Sequence, residues 1–464
     1  MEKRTLGLAK LGLLTVAAFG GGVVTTLWGS RAAQATSHDE SPYAAIGQLG
    51  RVLVQVENNY VEPVDRAKIV EGAIKGMVEE LDPHSSYLPA QDFSLFQSET
   101  EGRFGGVGIE VDARAEQLTV IAPIEGSPAE RAGIRSGDHI MLVDGEEARP
   151  GNLEKVVRHM RGVPGTHVKL VIRRDAVKDA IVFDLVREII HVPSVASKLL
   201  AGGIAYVRVK QFQERTHDEL VAAAGKLRRE SKGAPIAGVV LDLRSNPGGL
   251  VDEAAGVADE FLTTGTIYTT RHRGEVVDEV KAQGGGAFSD VPLVTLVNEY
   301  SASAAELVAG ALQDQKRSVI VGANTFGKGS VQTIIELPGG AGLRLTTARY
   351  YTPSGHSIQA DGVHPDVAIE ASGVPADAAL GPLRERDLEG HLSAEGTPES
   401  SGHKQTVMVA PDAGPPGDAG LGAEVEGSEA RNVPVDPATG RDFILRVGYQ
   451  LLRGKLVGRG PFVK

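Results

Sequence analysis

Three short, almost wholly apolar runs set the tightest limit on how this chain can fold. Val239–Leu243, Leu293–Val297 and Val319–Val321 are too short for helices and read as buried strands. Between and around them lie helical patterns at Thr216–Arg229, Leu250–Leu262 and Ser303–Leu312, the first opened by a Thr216-to-Glu219 capping box. Ile204–Val209, 331–337 and 343–351 add further strands. Such alternation over 200–370 implies an α/β region, a sheet with covering helices.

The rest of the chain divides around that region. Residues 43–58 and 66–81 carry apolar positions at helical spacing, such as Ile46, Leu49, Val52, Leu53 and Val56, before Asp82-Pro83-His84-Ser85-Ser86 breaks the pattern. Two such helices bury little alone and need a neighbouring domain or a second copy of the chain. Residues 99–187 read as a small β-rich domain. In it Ser127-Pro128-Ala129-Glu130 forms a helix start with Glu130 closing a capping box, and Gly133 is the stop. Residues 371–440 hold no aromatic residue but 11 Gly and 8 Pro, so burial cannot offset chain entropy and a disordered linker is expected. A helical pattern resumes at 441–453, within a terminal segment 441–464, and is expected to dock back. There is no internal repeat.

Residues 1–36 read as an address. Lys3, Arg4 and Lys10 precede an uncharged stretch from Leu11 to Trp28, and Ala33-Gln34-Ala35 offers a small-x-small cleavage site. The expectation is export to the periplasm, with an uncleaved inner-membrane anchor as the alternative, since the stretch spans about 27 Å as a helix. The chain has no Cys, which removes thiol nucleophiles and disulfides and suits an exported protein. A net charge of −12 argues against nucleic acid as a partner.

Chemistry concentrates between 242 and 332. In Asn298-Glu-Tyr-Ser301-Ala-Ser303-Ala304-Ala305-Glu306, an apolar strand enters a turn of small residues and then a helix. A serine there stands at a helix N-terminus, where free N–H groups favour negative charge; the plain alternative is a cap, a role that suits Ser301. A serine hydroxyl needs a base, and none of the 12 histidines sits in a recognisable active-site phrase; His84 reads as a turn residue. Lys328, in Thr325-Phe326-Gly327-Lys328-Gly329, serves if burial neutralises it. Gly322 to Lys328 nearly spells a phosphate loop, but Gly329 stands where Ser or Thr is required and β structure follows. Asp242-Leu-Arg244-Ser-Asn246-Pro247-Gly248-Gly249 ends a buried strand in a turn able to aim backbone N–H groups at a neighbour. Phe104-Gly105-Gly106-Val107-Gly108-Ile109 is suited to a backbone nest for a peptide carboxylate.

In their order these phrases resemble the C-terminal processing peptidases, or tail-specific proteases, of serine peptidase family S41. The matching stretches are GAIKGMVEELDPHSSYL, FGGVGIEV, GSPAERAGIRSGDHI, LDLRSNPGGLVDEA, VNEYSASAAELVAGAL, TFGKGSVQ and YYTPSGHSIQADGVHPDV. The resemblance implies a multidomain α+β and α/β protein. A β-rich PDZ domain at 99–187 would be inserted between an N-terminal helical region, 40–98, and an S41-type peptidase core, 188–370. It implies Ser303 as nucleophile, Lys328 as general base and Gln332 as the residue that holds the amine. The N–H groups of Gly248 and Ala304 would form the oxyanion hole, and Gly105, Gly106, Val107, Gly108 and Ile109 the peptide-carboxylate loop. Ala305 replaces a Ser common in the family, and the long 371–440 stretch is a departure.

With the leader, the resemblance implies an exported serine endopeptidase acting on proteins with apolar C-termini and needing no metal or organic cofactor; an adaptor protein is left open as a partner, and so is a homodimer, which the apolar N- and C-terminal helices could form. The competing expectation is a catalytically silent PDZ scaffold of the cell envelope.

Overall fold

The computed structural model describes residues 42–114, 117–175, 177–370, 382–395, 405–409 and 433–457. The 1–36 address lies outside them; among the described residues no helix is long and apolar enough to cross a membrane. They form two units, one ending at Gly76 and one beginning at Met77. The first holds the helix Pro42–Asn59 and the start of the helix Arg66–Glu79. Asp65 Oδ1 caps the second helix by accepting the Ala67 N–H at 2.9 Å.

In the second unit, the central sheet has seven strands, ordered Val195–Leu200, Ile204–Val209, Gly238–Asp242, Leu293–Val297, Ser318–Gly322, Val367–Glu370 and Thr406–Val409. The first pair is antiparallel and the others parallel. The apolar runs follow from burial on both faces. Val239, Leu241, Leu293 and Val297 pack under Leu220, Leu227, Val257 and Val308 of the helices Thr216–Glu230, Val251–Asp259 and Ala304–Asp314. Val240, Val294, Leu296 and Val321 pack on Leu445, Val447 and Leu452 of the C-terminal helix Phe443–Val457. Arg244 fastens that helix, reaching Asp242 at 2.7 Å and Asp442 at 2.8 Å. A second sheet is built on the long strand Gly342–Tyr351, which pairs with Ser330–Glu336, Ser86–Leu88 and Thr266–His272.

The β-rich domain has a six-stranded antiparallel sheet around Leu118, Val120, Ile140, Val168, Leu170 and Ile172. It leaves and rejoins the chain through a two-stranded ribbon, Arg103–Gly106 against Glu188–His191.

Three local expectations need correction. Ser127 caps its helix by accepting the Glu130 N–H at 3.2 Å, but the Glu130 carboxylate turns to Gly126 N at 2.7 Å, so the box is not reciprocal. Thr216 is not the cap of its helix. Arg215 holds that position at φ +71°, while Glu219 accepts from the N–H groups of Ser194 and Val195, donors the chain exposes on entering the sheet. The 371–440 stretch is not a disordered linker throughout. Thr406–Val409 adds a parallel edge strand, and residues 382–395 include the fully buried Glu385. Average composition hid these short runs; residues 433–440, with the buried Val433 and a 3-10 turn at Pro437–Thr439, are described as well, and the remainder of the stretch lies outside the described residues.

Candidate active site

The strand Leu293–Val297 delivers its turn between two neighbours. Ser301 is no helix cap: fully buried, it donates from Oγ to Leu243 O at 2.8 Å and accepts the Asn298 N–H at 3.0 Å, pinning the turn to the adjacent strand. Ser303 takes the N-cap position instead, with φ +55° and ψ −118°. A non-glycine residue held there stores strain of about 1–3 kcal/mol, a feature that collects at functional sites.

Glu306, one turn into the helix, explains how the strained residue is kept in place. Its carboxylate is fully buried. Oε1 accepts from Thr325 Oγ1 at 2.5 Å and Gly327 N at 2.6 Å; Oε2 accepts from Ser303 N at 2.7 Å and Lys328 N at 2.9 Å. Two nitrogens bonded to one oxygen at those lengths lie within 5.6 Å of each other, so the carboxylate draws the Ser303 and Lys328 backbones together. Burial pushes the Glu306 carboxyl up to about 7, against four donors that each favour the ionised form.

Lys328 lies on the loop that Glu306 holds, and burial drives its amine below the ordinary lysine value. Arg344 adds to that, while Glu385, Glu306 and Asp82 oppose it. No hydrogen bond joins the amine to Ser303 Oγ among the described residues. Nor does Gln332 reach it: the Gln332 amide donates to Ser330 Oγ at 3.0 Å and Thr346 Oγ1 at 3.2 Å. Thr346 Oγ1 in turn donates to Asp82 Oδ1 at 3.0 Å, which connects Gln332 to the turn that sequence reading treated as a simple helix breaker.

Gly248 faces the serine so closely that a Cβ built on it would lie 2.8 Å from Ser303 Cβ and 3.0 Å from Ala304 N. Its own N–H, however, donates to Asn246 Oδ1 at 2.8 Å. Of the two N–H groups expected to form an oxyanion hole, only that of Ala304 has no acceptor among the described residues. Asn246 is fully buried and also donates to Val209 O at 2.9 Å, so the turn is fixed rather than open.

In the β-rich domain the expected carboxylate loop divides. Gly105 and Gly106 belong to the ribbon, paired with Ile189 and Glu188. Val107 O accepts the Ala129 N–H at 3.0 Å, and Gly108, at φ +73°, is packed so that a Cβ would meet Ser127 Cβ at 2.3 Å. The N–H groups of Val107 and Gly108 have no acceptor among the described residues. Ile109 starts the first strand of the domain.

Sequence reading missed Glu306, Asn246 and Glu385 and undervalued His84. Glu306 had a signal: it is the single charge in the otherwise apolar and small Ala304–Leu312. His84 is in a turn, as expected, but Nε2 bonds the Glu385 carboxylate at 2.8 Å across 301 residues of chain. Nothing local announces that pairing.

A strained Ser303 thus stands on a strand-to-helix turn, and the backbone of the half-buried Lys328 shares a Glu306 oxygen with it, in a chain whose relatives make it a serine-type protease. The chain belongs to Peptidase family S41, whose profile matches residues 203–369, and it carries a PDZ domain matched at 119–174. Residues 26–92 match the N-terminal domain of the activating protease CtpB. A carboxy-terminal-processing protease of Bartonella bacilliformis is 40% identical over 427 residues, covering 91% of each chain. A probable CtpA-like serine protease of Staphylococcus aureus is 36% identical over 72% of this chain and 66% of its own length. Among solved structures, a photosystem II D1 C-terminal processing protease is 32% identical, covers 68% of this chain and 86% of its own, and superposes with a TM-score of 0.43. The protein is therefore a C-terminal processing serine protease with a PDZ domain.

Proposed function

We propose that this chain is an exported endopeptidase that captures the apolar C-terminal tail of a protein on its PDZ domain and cleaves the chain at Ser303. The observation that carries this reading is the single Glu306 oxygen shared by the backbones of Ser303 and Lys328. The neutral Lys328 amine takes the Ser303 proton as Oγ bonds to the scissile carbonyl carbon. Ala304 N–H receives the oxyanion, joined by Gly248 N–H once that group is shared with or released from Asn246. The C–N bond then breaks as Lys328 returns the proton to the leaving amine, and water hydrolyses the acyl-enzyme by the same route. The Gln332 amide oxygen is left to orient the amine. In the PDZ domain, the N–H groups of Val107 and Gly108 suit a terminal carboxylate. The basic-then-apolar leader supports export to the periplasm.

The direct test is digestion of an unfolded protein with an apolar C-terminus, followed by mass spectrometry. The natural chain is expected to release new C-termini; Ser303→Ala is expected to release none, and a tail ending in an amide should be cut more slowly than one ending in a carboxylate. Equal cleavage by both enzymes would sink the reading and leave a silent scaffold.

Gly248→Ala is a sharper probe of the oxyanion site. The added methyl meets Ser303 Cβ, and φ +101° disfavours any side chain. Turnover should fall about 10²–10³-fold, the usual loss when one oxyanion donor is displaced. Steady-state rates within threefold of the natural enzyme would remove Gly248 from the site.

A further inference from the structure

The matched peptidase segment ends at residue 369, yet residues 382–395 return to the Lys328 loop. Glu385 grips that loop from both sides. Its N–H donates to Phe326 O at 3.2 Å, two residues before the lysine. Its carboxylate accepts from Gln359 Nε2 at 2.9 Å, and Gln359 Oε1 accepts the Gly329 N–H at 3.0 Å, one residue after the lysine. Gly329 is pressed on this bridge: a Cβ there would lie 2.4 Å from Gln359 N. Gln359 Nε2 also donates to Leu392 O at 3.0 Å, closing the segment onto the same bridge.

The Glu385 side chain is fully buried and faces His84 Nε2 at 2.8 Å. His84 belongs to the turn whose Asp82 binds Thr346, the partner of Gln332. One carboxylate from outside the matched segment thus touches the turn behind Gln332 and the loop carrying Lys328. A bridge that served packing alone has no need of a buried charge, which is expensive to desolvate.

We propose that Glu385 is a positioning residue for peptide hydrolysis: through Phe326 O and the Gln359–Gly329 bridge it sets where the Lys328 amine stands, and its negative charge sets the field there. This rests on the Ser303–Lys328 reading. The groups facing the amine are Arg344, which favours the neutral form, and Glu385, Glu306 and Asp82, which favour the ammonium; His84 faces Glu385. Removing the Glu385 charge therefore releases the proton at lower pH.

The experiment uses full-length protein, an unfolded protein substrate and pH profiles of kcat/KM. Glu385→Gln is expected to lower the plateau about 10²-fold, as a misplaced catalytic group does, and to move the acid limb to lower pH. Gln359→Met keeps the charge but cuts the bridge, so the plateau should fall while the limb stays. A plateau within threefold of the natural enzyme in either folded variant overturns the proposal, as does an unmoved limb in Glu385→Gln. If a melting curve shows Glu385→Gln unfolded, Gln359→Met decides by its plateau. Ser303→Ala runs alongside: activity surviving there sinks the Ser303–Lys328 reading, whereas an inert Ser303→Ala with an unaltered Glu385→Gln sinks only the positioning role.

Discussion

Lys328→Ala is expected to fold normally and to lose about 10⁴-fold or more in turnover, the scale on which a general base tied to a nucleophile acts. The side chain fills no core position, and removing an amine that burial already disfavours relieves a desolvation cost. Lys328→Arg should be as inactive, because a guanidinium does not give up its proton at any working pH. The natural enzyme should show the complementary pH dependence. A lowered amine value means that the neutral form appears at lower pH than for an exposed lysine, so the rate rises through that value and then levels. Stopped-flow acylation rates across pH 5–9 check this; a flat profile for the chemical step, or an active Lys328→Arg, would overturn the lysine-base mechanism.

Glu306→Leu should be the most destabilising single change near the site. It leaves Thr325 Oγ1 and the N–H groups of Ser303, Gly327 and Lys328 buried without their acceptor. An orphaned buried donor costs about 1–3 kcal/mol, and such losses do not add fully. A drop of about 3–5 kcal/mol in unfolding free energy is expected from urea titration, with turnover lost even in the folded fraction because nothing holds Ser303 at positive φ. Glu306→Gln keeps one acceptor oxygen and should fall between. A change under about 1 kcal/mol would show that the four bonds are not what fixes the turn.

The parts legible in the sequence were those with a local cause. Almost wholly apolar strands such as Leu293–Val297 announced a sheet buried on both faces, and the Ser303 turn announced itself through small residues between a strand and a helix. The Asn246-Pro247-Gly248-Gly249 turn was visible, but not that Asn246 would occupy the Gly248 N–H. Ser301 and Ser303 could not be told apart as caps, because backbone dihedrals at a tight turn depend on what lies across it. Glu385 was hidden more deeply, since its partners are His84 and Gln359 and its surroundings are rich in polar residues and glycine. Composition reports on whether a segment can fold by itself, and residues 382–395 do not; they borrow a surface already built.

The ribbon of Arg103–Gly106 and Glu188–His191 has a consequence for how this architecture can be altered. Arg103 and His191 face each other across one strand pair, so the chain enters and leaves the PDZ domain at points about 5 Å apart. The PDZ domain is a cassette with adjoining ends, and exchanging it for another needs two neighbouring cuts and no new path through the peptidase half.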